Sequence, residues 1–431
     1  LTDWKKKRDG DEQLLTKIKV MKSLPVICLF AFIAYTVCPQ SADNDEAIVR
    51  KVADYIISHT GFGFVGTENG ETYNSTAEIP DNVEVRIKSP FNEWHYANGV
   101  LNMAMIDLSE YLGDEKYFDF VVSRIDFGMN NYKFFQKRFK DDRPYYFYPF
   151  GQLWTMGELD DCGAMGASII DVYGKVRKNS YKEYIEKAAY HISSVQERLD
   201  DGTLVRTFPH AMTLWGDDLY MSVPFLVRMG KFSGESRYYD DAINQVYNFT
   251  RYLWDKDKEL YFHCYYDDLA RNGVAYWGRC NGWIMMAQVH LLDHLPPDHP
   301  KREDLIHILV QQILGIAKYQ GGNGLWHQLL DKTDSYFESS CSAMFVYCIA
   351  RAVNEGWIDD RYASIALRGW EGLVAHKITP EGQLKDICVG TGIENDLVHY
   401  YNRPAQVNEL HGMGPLIEAG IEITRLKDTL E

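Results

Sequence analysis

The stretch Leu214–Leu226, LWGDDLYMSVPFL, sets two adjacent carboxylates, Asp217 and Asp218, behind Trp215 and ahead of a long apolar run. Asp is favoured at a helix start because it caps free N–H groups. Capping accounts for one Asp; a Trp-Gly-Asp-Asp run at the mouth of a buried helix also suits a pocket rim. Tyr276–Trp283, YWGRCNGW, repeats the design, with aromatic and polar residues leading into the apolar helix Trp283–Leu292. Both stretches read as parts of one pocket built at helix N-termini.

Outward from there, the pattern is helical throughout. Helices apolar on most sides begin near Glu93, Asp161, Asp217, Asn281, Glu338 and Glu409. Between them run one-sided, amphipathic helices at roughly 43–59, 114–130, 180–198, 235–253, 301–319 and 359–376. A helix apolar all round is buried, and a one-sided helix covers it. Related junctions recur, as LGDEKYFDF (112–120), SGESRYYDD (233–241) and WIDDRYASI (357–365). Such a repeat marks stacked helical hairpins. The expected fold is all-α, an (α/α)6 barrel of six helical hairpins spanning 43–431. An open solenoid is the alternative, with less apolar inner helices. Residues 61–89 read as a long loop. The loops before the inner helices are long and aromatic (143–161, 261–282, 324–338), so the pocket is expected at that end.

Aromatic residues make up 14% of the chain, and Tyr and Trp offer the flat apolar face with a polar handle that suits carbohydrate; a large aromatic core is the other reading. The formal charge of −16 disfavours nucleic acid as a partner. Met21–Ala42 carries a basic Lys22, an apolar run and a small-residue Ser41-Ala42 site, and reads as a secretory signal too short to span a membrane. Export follows as an expectation, to the periplasm or, through Cys38, as a surface lipoprotein. The six cysteines beyond Ala42 are scattered without CxxC or Cys/His spacing, so neither metal nor a disulfide framework is expected.

Asp160 and Asp161 start one inner helix, and Asp217 and Asp218 the next. One Asp from each pair at a shared rim makes an acid–base couple, because desolvation raises a carboxyl pKa and a second carboxylate raises one of the two further. Helix capping explains any one of the four equally well. His263 is a hydrogen-bond donor to substrate or a satisfied histidine under a loop. Arg279 is a carboxylate anchor or a structural ion pair. Trp215 and Trp277 stack on a sugar or pack in the core. His210, His327 and His411 read as structural.

The chain resembles the unsaturated rhamnogalacturonyl hydrolases, glycoside hydrolase family 105, related to the unsaturated glucuronyl hydrolases of family 88. The resemblance covers roughly 90–424 and rests on LDDCGAMG (159–166), LWGDDLYM (214–221), YWGRCNGW (276–283), GLWHQLLDKTDSYFESSCSAMF (324–345), VGTG (389–392) and NRPAQVNELHGMGP (402–415). It implies an (α/α)6 barrel that removes a 4,5-unsaturated uronic acid from the non-reducing end of lyase-cut oligosaccharides, without cofactor or metal. It places the catalytic acid on Asp217 and the assisting carboxylate on Asp161. His263, Trp277 and Arg279 match substrate-site positions, and Trp215, Trp283 and His327 complete the expected set. Where many relatives have Trp-His-Lys, this chain has Leu204-Val205-Arg206-Thr207, so Arg206 is expected to replace a histidine contact to the sugar. A glucuronyl hydrolase acting on arabinogalactan or glycosaminoglycan fragments, a barrel-fold epimerase using paired histidines, and a non-enzymatic glycan-binding protein are the alternatives.

Overall fold

The inner helices are Tyr96–Leu112, Leu159–Lys175, Asp217–Ser233, Gly278–His294, Ser339–Asn354 and Leu410–Leu430. The computed structural model describes residues 44–430, and the expected signal segment lies outside them. Each inner helix packs on the next, and Leu410–Leu430 packs back on Tyr96–Leu112, closing the ring and excluding the open solenoid. All six begin within three residues of the expected starts.

The outer helices are Asp45–Ser58, Lys116–Arg138, Asn179–Tyr190, Arg237–Leu253, Arg302–Ala317 and Ala363–His376. Asn179–Tyr190 ends in a π turn, His191–Val195, inside the span expected to be one helix. The two classes differ in burial as their sequences require. In Gly278–His294 every residue through Leu292 is buried, whereas Arg302–Ala317 buries only a stripe that includes Leu305, Leu309, Ile313 and Ile316. That burial is the driving force for ring closure. No described helix is long and apolar enough to cross a membrane.

The 61–89 segment corrects the loop reading. Phe64–Gly66 pairs with Thr72–Tyr73 and with Val85–Ile87 in an antiparallel sheet, with Phe64 opposite both Tyr73 and Ile87. Strands of two or three residues are too short for a period-2 pattern to reveal.

A second small sheet positions the site. Thr213–Trp215 pairs antiparallel with Cys264–Tyr266, which pairs in turn with Arg271–Asn272. The first pairing sets Trp215 opposite Cys264, and Gly216 N–H then donates to the His263 carbonyl at 2.9 Å. Gly216 is demanded by close approach, since a Cβ there would lie 2.3 Å from Cys280 Sγ. The strand therefore delivers Asp217, the first residue of its helix, beside His263.

Candidate active site

Asp217 Oδ2 lies 3.0 Å from His263 Nε2. The imidazole is fully buried, and its Nδ1 lies 2.7 Å from the Tyr400 hydroxyl. Glu394 N–H donates to that hydroxyl at 3.3 Å. With the hydroxyl proton turned to Nδ1, the imidazole presents Nε2–H to Asp217. Asp217 was expected to hold its proton near neutral pH. Burial does push its pKa up, but His263, Arg206 and Arg279 together pull harder, and the carboxyl ends below its ordinary value. No side chain caps this helix, so Asp217 and Asp218 are not the caps that composition allowed.

Asp218 is wholly buried against Arg206, whose Nε lies 3.0 Å from both carboxylate oxygens and whose Nη2 donates to Oδ1 at 2.7 Å. Arg206 also reaches Glu158 at 3.1 Å and Asp160 at 2.9 Å, and its guanidinium lies 4.2 Å from the Trp215 ring. Arg206, expected to contact the sugar, is thus held by three carboxylates. Burial lifts Asp218 to about 6 in spite of Arg206, and lifts Glu158 to about 7.

Asp161, the expected assisting carboxylate, is held by the loop before its helix. Its Oδ2 accepts from Tyr145 O–H at 2.6 Å and from the N–H groups of Gly157 and Glu158, and its Oδ1 accepts from Gln152 at 2.9 Å. It is the N3 member of a capping box with Glu158. The neighbour Asp160 is the carboxylate that joins the Arg206 network and faces the Asp217 helix.

Arg279 donates to the carbonyls of Cys388 and, at 2.7 Å, Val389, and lies 4.5 Å from the Trp277 ring. Glu338 fixes that wall by accepting from Ser340, Cys341 and Cys388 N–H groups. Three buried donors here have no acceptor among the described residues: Arg279 Nε, Trp277 Nε1 and Trp283 Nε1. Trp277 packs 4.7 Å from the His263 ring, and Trp215 stands edge-on to it at 6.1 Å. His327 is stacked on Phe337 and lies 2.5 Å from the Ser335 carbonyl of its own loop.

Sequence reasoning missed Tyr96 and Tyr400, and read His411 as structural. Tyr96 O–H meets His411 Nε2 at 2.5 Å, and His411 Nδ1 meets Glu409 at 2.6 Å. Tyr96 and His411 stand at inner-helix starts, the same position as Asp217 and Arg279, and that shared position was the available signal. Asp217, His263 and Cys280 offer ligand-type atoms within 4.8 Å of one another, the set among the described residues that could hold a metal ion. The Cys280 thiol is pushed far above its ordinary value by burial, so a metal would have to displace its proton.

Carboxylates, an imidazole and orphaned N–H donors meeting at one rim of a helical barrel are the equipment of a glycosidase. The chain belongs to Glycosyl Hydrolase Family 88, whose family model matches residues 71–427. Among curated relatives, the unsaturated rhamnogalacturonyl hydrolase YesR of Bacillus subtilis is 25% identical over 277 residues, covering 62% of this chain and 76% of the relative. A solved structure described as a possible member of the GH105 family, from Salmonella enterica, superposes with a TM-score of 0.72 at 24% identity, over 89% of this chain and 94% of that one. The unsaturated glucuronyl hydrolase of Bacillus sp. GL1 shares the fold with a TM-score of 0.61 at 15% identity, over 88% of this chain and 95% of that one. The family sets aside the epimerase and the non-enzymatic readings.

Proposed function

We propose that the protein removes a 4,5-unsaturated uronic acid from the non-reducing end of oligosaccharides left by a polysaccharide lyase, with rhamnogalacturonan or pectin fragments as the substrate class. The observation that carries this reading is a set of buried donors without an acceptor among the described residues, in the helix Gly278–His294 and at its start: Arg279 Nε, Trp277 Nε1 and Trp283 Nε1. A buried donor left unpaired costs about 1–3 kcal/mol, and a ligand carrying a carboxylate and ring oxygens relieves that cost. Arg279 is the anchor for the sugar carboxylate, held ready by Trp277 and two backbone carbonyls. The name of the YesR relative supports the galacturonyl type of substrate.

The chemistry follows from the substrate's C4=C5 enol ether. Asp217 gives a proton to C4, and positive charge develops at C5 and the ring oxygen. A water molecule adds at C5 and loses its proton to the Asp217 carboxylate or to Asp160. The resulting hemiketal opens and the aglycone leaves, with no attack at C1. In the free enzyme Asp217 is ionised, held so mainly by His263. The substrate brings a carboxylate of its own, and like charge beside Asp217 raises its proton affinity. The acid is thus assembled in the complex, with its proton taken up from solvent as the substrate binds. One acid–base group of this kind contributes about 10²–10⁴-fold.

We also place the enzyme outside the cytoplasm, on the reading of Met21–Ala42 alone. The test of the reaction is an unsaturated disaccharide from lyase-cut rhamnogalacturonan, followed by loss of enoate ultraviolet absorbance. Turnover of that substrate and none of its saturated counterpart is expected. Equal turnover of the saturated uronide overturns the reading.

A further inference from the structure

A second cavity, of about 340 Å³, opens at the catalytic end of the barrel, where the inner helices Tyr96–Leu112 and Leu159–Lys175 begin. Arg86, His95, Tyr146, Phe147, Tyr148 and Gln152 are among its walls. Tyr146 is 52% exposed and Phe147 62%, and their ring centroids lie 4.7 Å apart. Exposed rings contribute little to folding, so a pair of them in a cavity needs another explanation.

The turn that carries them is held firmly. Tyr145 O–H, Gln152 Nε2 and Gly157 N–H, all from this loop, converge on the buried carboxylate of Asp161 at 2.6–2.9 Å. Gly151 is required as well, since a Cβ there would lie 1.8 Å from the Tyr145 carbonyl oxygen. A buried charge with both oxygens committed to one loop is a large investment for a turn without a task. Arg86 is exposed; its guanidinium reaches the Ile87 carbonyl at a long 3.5 Å, and its charge also acts on Glu93, a wall residue of the same cavity. The cavity adjoins the catalytic site through His95, which lines it and stacks on Tyr96 at 4.3 Å.

We propose that this cavity is a subsite for the aglycone. Sugar residues beyond the cleaved bond lay their C–H faces on Tyr146 and Phe147, and Arg86 pairs with a uronate carboxylate of the same chain. Asp161 is then a positioning residue for the subsite loop. The proposal rests on the reading that the enzyme works from the end of an acidic oligosaccharide, and it predicts a preference for longer chains.

The test compares wild type with the double variant Tyr146→Ala/Phe147→Ala on an unsaturated disaccharide and an unsaturated tetrasaccharide from rhamnogalacturonan. Both rings are exposed, so the variant is expected to keep its thermal midpoint. For the tetrasaccharide, kcat/KM should fall about three- to tenfold through KM, the range of one aromatic contact. For the disaccharide it should stay within about twofold. Arg86→Gln should weaken only the tetrasaccharide, with an effect that fades as salt rises. Equal loss on both substrates, or loss on neither, overturns the subsite. If wild type turns over neither substrate, the hydrolase reading fails by itself. Calorimetry with a saturated rhamnogalacturonan tetrasaccharide then decides the subsite: binding weakened in the double variant supports it, and unchanged or absent binding overturns it.

Discussion

His263 Nε2 stands 3.0 Å from Asp217 Oδ2, and the imidazole that makes this contact has no exposure to solvent. With Arg206 and Arg279, the contact reverses what burial alone would do to Asp217, because donor and cationic groups together outweigh desolvation. In this mechanism the free enzyme and the substrate complex therefore differ in the proton affinity of the same carboxyl. The basic limb of kcat is expected at higher pH than the basic limb of kcat/KM, since the first reports the complex and the second the free enzyme. Asp217→Asn should lower kcat by about 10²-fold or more, with substrate affinity largely kept. Coincident limbs, or an Asn variant at near wild-type turnover, would show that another group supplies the proton.

Asp160 and Asp161 separate two roles that adjacency in sequence confuses. Asp160 joins the Arg206 network facing the Asp217 helix, and Asp161 is committed to the 145–158 loop. Asp160→Asn should depress kcat on the disaccharide more strongly than Asp161→Asn. Asp161→Asn should lower stability by about 0.5–2 kcal/mol, the size of a lost cap, and raise KM for the tetrasaccharide. The reverse ranking of kcat on the disaccharide would restore Asp161 as the assisting carboxylate.

The difference between these two residues marks where the sequence stops being legible. The alternation of all-apolar and one-sided helices located all twelve barrel helices, because burial on every side and burial on one side leave distinct patterns over many residues. Two neighbours at one helix start differ by about 100° of rotation, and which of them faces the axis depends on a helix phase that no periodicity fixes to one residue. The Asp217–His263 contact needs the pairing of Thr213–Trp215 with Cys264–Tyr266, and three-residue strands leave no pattern. Tyr400 reaches His263 from 137 residues away, on a segment outside the hairpin repeat. The charge state of Asp217 followed from those contacts and so was misread from composition.

Arg206 and Asp218 form a buried pair, with side chains 7% and 0% exposed. Removing the arginine leaves a carboxylate buried without its main counter-charge, which costs about 3–5 kcal/mol. Arg206→Met should show that loss at pH 8. The Asp218 pKa already stands near 6 with Arg206 present and rises without it. A raised folded-state value means the stability present at low pH is lost as pH climbs through it, so the deficit should shrink toward pH 5. Asp218→Asn added to Arg206→Met should recover part of the loss at pH 8. A deficit independent of pH, measured by denaturant melts, would assign the effect to packing instead.

Glu418 sits 2% exposed at the opposite end of the barrel, in the wall of a cavity of about 480 Å³, with neither carboxylate oxygen hydrogen-bonded. Burial, with Asp107 nearby, pushes its pKa well above 4.5. The sign is that of a raised acid: stability is whole below the unfolded value and drains away as pH rises through the folded one. Wild type should therefore lose thermal midpoint on the alkaline side, and Glu418→Gln should lose less of it. Near pH 4 the two should melt alike within about 1 kcal/mol, since both side chains are uncharged there. A variant that follows wild type across the alkaline range would remove Glu418 from the cause.

Hydration of an enol ether leaves a mark that displacement at C1 does not. If Asp217 protonates C4, a solvent hydron must end on C4 of the released sugar and a solvent oxygen on C5. Turnover in D2O should place one deuterium at C4, read by NMR before the open-chain product rearranges. In water enriched with heavy oxygen, C5 rather than C1 should carry the label. The donor in this scheme is a carboxyl whose proton comes from solvent, so the transfer step should also slow in D2O. Saturated uronides have no C4=C5 bond to protonate and should remain intact under the same conditions. Conventional displacement would leave C4 free of deuterium and put the solvent oxygen on C1. Product of that kind would move the reacting centre from C4 to the glycosidic carbon, and Asp217 and Asp160 would then be read as the acid and base of an ordinary glycosidase.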